Sequence, residues 1–130
     1  MRSTAPTVVV IDDEDSVRKA LVRLLRSADF QAVSFSSVRA FLADFESLEM
    51  DCLVIDLQMP DMTGLDLQRY LRMVRPDVAV PVVIITAHDE PGTRERCYAA
   101  GVSAYFPKPV GAVTLLAELD RITDRARSTA

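Results

Sequence analysis

The chain predicts a doubly wound α/β domain whose parallel sheet is buried on both faces. Two observations carry this expectation: three short β-branched apolar runs that are continuous rather than alternating, and segments of helical period between them. The runs are Val8-Val9-Val10-Ile11, Cys52-Leu53-Val54-Ile55 and Val82-Val83-Ile84-Ile85, each followed at once by a polar residue. At 130 residues, 49% of them hydrophobic, the chain can build one domain with a real core and is too short for two ordinary ones.

Taken in order, Val8 to Ile11 is the first central strand, and Val17, Leu21, Leu24, Leu25 and Ala28 line one face of the helix after it. A weaker alternating run, Gln31 to Phe35, suits an edge strand, and Ser36-Ser37 offers a cap for a helix through Phe41, Leu42 and Phe45. After the strand at Cys52 to Ile55, Leu67, Tyr70, Leu71 and Val74 mark the core face of a third helix. Following Val82 to Ile85, Pro91 suits the first turn of a helix ending near Gly101; a short strand at Ala104 to Phe106 comes next, and Leu115, Leu119 and Ile122 line a last helix. Five strands alternate with five helices, which implies crossovers that cover both faces of a parallel sheet. The expected boundaries are a tail over 1–6, the folded domain over 7–125, and a tail or the start of a linker over 126–130.

Net charge −4 argues against direct binding of nucleic acid, which usually shows a basic face. Cys52 and Cys97 lack the close spacing of zinc sites or disulfide frameworks, so both read as small buried hydrophobes in a reducing compartment. No stretch suits a signal peptide or a membrane span, and a soluble, cytoplasmic protein is expected.

In open α/β sheets ligands bind beyond the carboxyl ends of strands, where strand order reverses. In a flavodoxin-like order of 2-1-3-4-5, Asp12, Asp13 and Asp56 converge there, with Thr86 and Ala87 after the fourth strand and Lys108-Pro109 after the fifth. Carboxylates packed together stay ionised only if a cation neutralises them, and hard oxygen ligands suit Mg²⁺, or Mn²⁺ in its place. Lys108, one of only two lysines, could pair with Asp56 and then with a phosphoryl oxygen, to which the Thr86 hydroxyl could also donate. An Asp carboxylate is a competent nucleophile for phosphoryl groups. Singly these residues have ordinary roles: Asp12 to Asp15 as a helix cap, Asp56 as a turn residue, Lys108 as a surface charge, His88 as a loop residue. Their joint placement at one sheet edge outweighs those readings.

These same segments resemble the receiver domains of bacterial response regulators, from Thr7 to about Arg125. They are Val-Val-Val-Ile-Asp-Asp-Glu (8 to 14), Val-Ile-Asp-Leu-Gln-Met-Pro-Asp-Met-Thr-Gly (54 to 64), Ile-Ile-Thr-Ala-His (84 to 88) and Ala-Tyr-Phe-Pro-Lys-Pro (104 to 109), and the wording around Asp56 looks most like the FixJ-type subgroup. The resemblance implies that Asp56 accepts a phosphoryl group from a sensor histidine kinase or a small phosphodonor. It also implies that Asp13, Asp56 and the Gln58 backbone carbonyl bind the metal, with Asp12 helping through water. By the same mapping Lys108 bonds the phosphoryl group and Pro109 follows a cis peptide. Thr86 would move toward the phosphate and Tyr105 would turn inward behind it, a switch that remodels the face made by the fourth helix, fifth strand and fifth helix, through which a homodimer could form on phosphorylation. Gln58 and His88 would flank the water that removes the phosphate. The bland alternative for Tyr105 is an edge aromatic with its hydroxyl in water. Regulators of this subgroup usually carry a DNA-binding output domain after a linker; this chain contains none, and a cut chain and a stand-alone receiver both fit. Two rivals remain. A small Mg²⁺-dependent phosphatase of the haloacid-dehalogenase type would need an Asp where Gln58 stands, and a flavin or nucleotide binder would want a Gly- or Ser/Thr-rich loop where Asp12 to Asp15 lie.

Overall fold

Continuous β-branched runs become the middle of the sheet because neither face of them meets water. In the computed structural model, which describes residues 5–76 and 79–128 with side chains through Asp124, the strands are β1 (Thr7–Ile11), β2 (Gln31–Phe35), β3 (Cys52–Asp56), β4 (Val82–Thr86) and β5 (Ala104–Pro107). They pair in parallel in the order β2-β1-β3-β4-β5, as the sequence predicts. The helices between them are α1 (Asp15–Ser27), α2 (Val38–Asp44), α3 (Gly64–Val74), α4 (Thr93–Ala99) and α5 (Ala112–Ser128). A single 3-10 turn, Phe45–Ser47, follows α2.

Because side chains alternate across a strand, each central run feeds two cores. Val8, Val10, Val54, Val83 and Ile85 pack with Leu21 and Leu25 of α1 and Leu115, Leu119 and Ile122 of α5. On the other face Val9, Ile11, Leu53, Ile55 and Ile84 pack with Phe41 of α2, Leu67 of α3 and Cys97 of α4. Ser37 caps α2, its side chain accepting the Ala40 N–H at 3.0 Å.

Two expectations need correction. On α3, Tyr70 and Val74 are exposed, and the buried face instead runs through Gly64, Leu67 and Gln68. Gln68 can be buried because its Nε2 donates to the Ala100 carbonyl at 3.2 Å, satisfying a group at the end of α4. Helix α4 begins after Pro91 rather than over it: Gly92 takes φ 85, a left-handed conformation that glycine adopts freely, and the helix starts at Thr93. Helix α5 runs on through the polar residues after Asp124 to Ser128, a stretch that holds no glycine or proline to stop it. Residues 1–4 of the expected N-terminal tail, and 129–130 of the C-terminal one, lie outside the described residues.

Candidate functional site

Strand register builds the site. The last β1–β3 pair is Ile11 with Ile55, so Asp12 is the first residue past β1, while Asp56 ends β3 opposite Ile85. Thr86 ends β4 opposite Pro107, which leaves Lys108 as the first residue past β5. Asp12, Asp56, Thr86 and Lys108 therefore share one edge of the sheet.

Asp12 is fully buried; its Oδ1 accepts the Glu14 N–H at 2.9 Å and its Oδ2 accepts Lys108 Nζ at 3.2 Å. Arg18 adds a bond from its guanidinium to the Asp12 carbonyl at 2.9 Å. Asp56 is 6% exposed, with Oδ1 held by the Gln58 N–H at 3.0 Å and Oδ2 by Lys108 Nζ at 2.9 Å. Lys108 also reaches Glu14 Oε1 at 3.4 Å. Burial pushes the Asp12 carboxyl above its ordinary 3.8, against the pull of the Glu14 backbone bond and of Lys108. For Lys108, burial draws the ammonium down, but the Asp56 hydrogen bond and the charges of Asp12 and Asp56 outweigh it and leave the pKa raised. The pair thus shifts in the same direction for different reasons: desolvation governs the carboxyl and its partners govern the ammonium.

One carboxylate oxygen from each of Asp12, Asp13 and Asp56 lies within 4.8 Å of the other two. Oxygens around one Mg²⁺ sit about 3–4 Å apart, given bonds of about 2 Å in octahedral geometry, so modest closure would let these residues share an ion. Three carboxylates face one ammonium, Asp13 is exposed enough to swing, and every donor is a hard oxygen; the set fits a divalent cation.

Thr86 is fully buried, its Oγ1 accepting the His88 N–H at 3.0 Å and its carbonyl accepting the Lys108 N–H at 2.7 Å. The Lys108–Pro109 peptide is cis. Gln58 and His88 are both exposed at the mouth of the site. Tyr105 is 2% exposed, so a hydroxyl left in water is excluded; it donates to Asp89 Oδ1 at 2.8 Å. Burial first, then the bond to Asp89, pushes the Tyr105 phenol up to about 12. Under the acceptor, Gly64 leaves no room for a side chain: a Cβ there would stand 2.9 Å from Ile84 Cδ1 and 3.1 Å from the Asp56 carbonyl oxygen. Beside Lys108, an apolar groove of about 590 Å³ runs between α1 and the start of α5, lined by Val17, Leu21, Leu24, Pro109, Val110 and Leu115 among others.

Sequence reasoning missed the contact of Glu14 with Lys108, the Arg18 bond beneath Asp12 and the acceptor of the Tyr105 hydroxyl. Only Arg18 left a signal, lying one helical turn beyond Glu14. No helix among the described residues is long and apolar enough to cross a membrane.

Residues 8–120 match the family model of the response regulator receiver domain. The response regulator protein TmoT of Ectopseudomonas mendocina is 34% identical over 84% of this chain and 49% of its own length. The transcriptional regulatory protein FixJ of Rhizobium meliloti is 31% identical over 91% of this chain and 57% of its own. Among solved structures, a response regulator receiver protein from Burkholderia phymatum superposes with a TM-score of 0.80 at 40% identity, covering 92% of this chain and 95% of that one. The chain spans about half the length of these two sequence relatives.

Proposed function

The chain belongs to the response regulator receiver family, and on that footing we propose that it is a phosphoryl-accepting switch in which Asp56 carries the phosphoryl group. One observation carries the reading: a buried strand-end carboxylate bonded by Lys108 at 2.9 Å, with two further Asp carboxylates close enough to share a cation. Asp12, Asp13 and Asp56 would hold Mg²⁺, with the Gln58 carbonyl completing the protein ligands. Bound there, the ion would neutralise charge on the transferring group.

In the transfer, a carboxylate oxygen of Asp56 bonds to phosphorus while the bond from phosphorus to the donor nitrogen or oxygen breaks, and the electron pair leaves with the donor. An acyl phosphate results. The Gln58 N–H keeps the other Asp56 oxygen fixed, which limits the carboxylate's rotation. Lys108 shifts its ammonium from Asp56 to a phosphoryl oxygen, so its charge stays paired throughout. Thr86 donates its hydroxyl to the same group, and that movement, with Tyr105 behind it, alters the face of α4, β5 and α5. Gln58 and His88, exposed at the mouth, tune how long the phosphate lasts.

The physiological donor is a sensor histidine kinase, and the apolar groove between α1 and α5 beside Lys108 suits an amphipathic helix that presents the phosphorylated side chain. The altered face serves a homodimer and a DNA-binding output domain. Incubation with acetyl phosphate or phosphoramidate, with and without Mg²⁺, followed by intact mass tests the reading. A single Mg²⁺-dependent adduct absent from Asp56→Asn supports it. No adduct contradicts it, and donor turnover without an adduct would revive the phosphatase.

A further inference from the structure

Tyr105 is the largest fully buried side chain in the described domain, packed into the core with Ile84, Cys97 and Val102. A buried phenol needs a partner for its hydroxyl. Among the described residues that partner is Asp89, at 2.8 Å, on the turn that joins β4 to α4. Two more side chains hold the same residue: the Arg94 guanidinium lies 4.9 Å from the ring centroid, and the Tyr98 hydroxyl accepts the Tyr105 N–H at 3.1 Å. Asp89, Arg94 and Tyr98 all belong to α4 or the turn before it, so one element grips one residue of β5 at its hydroxyl, ring and backbone. Every one of these contacts is supplied by the chain itself, and none passes through the carboxylate site.

We propose that Asp89 is a positioning residue of the switch, a latch that holds Tyr105 inward independently of phosphorylation. Resting on the phosphoacceptor reading, the inference divides the switch: Tyr105 is preset by Asp89, and the phosphoryl group acts on Thr86 and the turn that carries the latch. That turn is already tied to Thr86 by the His88 N–H. Removal of the carboxylate then makes Tyr105 dependent on the phosphoryl group.

The test uses protein labelled with 3-fluorotyrosine, whose three tyrosines give fluorine resonances assigned with Tyr70→Phe and Tyr98→Phe. Solvent isotope shifts report the exposure of each ring, and beryllofluoride with Mg²⁺ mimics the phosphoryl group. In the wild type the Tyr105 ring is shielded from solvent and keeps its small solvent isotope shift when the mimic binds. Asp89→Ala lowers its inward-to-outward ratio about ten-fold or more, the worth of a hydrogen bond to a charged acceptor, and the mimic restores the shielded signal. Asp89→Asn, whose amide oxygen still accepts, keeps most of the shielding; far-UV circular dichroism checks that each variant folds. A Tyr105 ring equally shielded in Asp89→Ala, or one whose solvent isotope shift changes in the wild type when the mimic binds, overturns the latch. Binding of the mimic is read from its own fluorine signal, lost in Asp56→Asn. Absence of that signal in the wild type refutes the phosphoacceptor reading, while the comparison of wild type with Asp89→Ala still decides the latch.

Discussion

Replacement of Lys108 by Met keeps the aliphatic stem and removes the one ammonium among the site's carboxylates. In the wild type that ammonium stands 2.9 Å from Asp56 and 3.2 Å from Asp12, with only 14% of its side chain exposed. Each contact is worth about 5 kcal/mol gross at an effective dielectric of about 20, and desolvation of the charges offsets several kcal/mol of the sum. The expected net loss in metal-free buffer is about 2–4 kcal/mol, a little below the range for breaking a fully buried pair. With a urea slope of about 1–3 kcal/mol per molar, the midpoint should fall by about 1–2 M. The pH dependence has a definite sign. The Asp12 carboxyl, already raised by burial, rises further without Lys108. A carboxyl raised in the folded state contributes stability that is fully present below its unfolded value of about 3.8 and lost as pH climbs through the folded one. The variant's deficit should therefore be small in acid and grow toward neutrality. Urea unfolding followed by far-UV circular dichroism, in EDTA and in excess Mg²⁺, reads all of this, and Mg²⁺ should close most of the gap. An unchanged metal-free midpoint, or a gap indifferent to Mg²⁺, would refute the assignment of Lys108 as the counter-charge.

Gly64→Ala should destabilise the domain by about 1–3 kcal/mol through overpacking, and because the clash includes the Asp56 carbonyl, phosphorylation by acetyl phosphate should slow as well; calorimetry and adduct kinetics check both. Cys52, fully buried and with its thiol pushed up to about 12, and Cys97, fully buried and raised by desolvation, should resist thiol reagents near pH 8 until the protein is unfolded. A double change of Gln58 and His88 should alter the decay of the phosphorylated form several-fold with little effect on its formation; equal decay rates would exclude the role given to them.

Strands and their ends were legible because a parallel sheet demands continuous apolar runs, and the residue that follows each run lies at the ligand edge by topology alone. Asp12, Asp56, Thr86 and Lys108 could therefore be read from position. On α3, a period of 3.6 allows overlapping stripes, so Tyr70 and Val74 appeared to share the face that Leu67 and Gln68 occupy. Gln68 looks polar in sequence, and its burial depends on the Ala100 carbonyl 32 positions away. The bond from Tyr105 to Asp89 is equally non-local, joining a strand to a turn 16 residues earlier, and no periodicity encodes it. Glu14 meets Lys108 across 94 residues, a contact visible only once β1 and β5 are in place.

The central claim is that Asp56, among the three clustered aspartates, forms the acyl phosphate. Reductive trapping with borohydride tests it most directly, since an aspartyl phosphate is converted to homoserine at the modified position. After treatment with acetyl phosphate and Mg²⁺, peptide mapping should find homoserine in place of Asp56, with Asp12 and Asp13 intact. Homoserine at Asp12 or Asp13, or an unmodified Asp56 in protein that carries the adduct, would contradict the account.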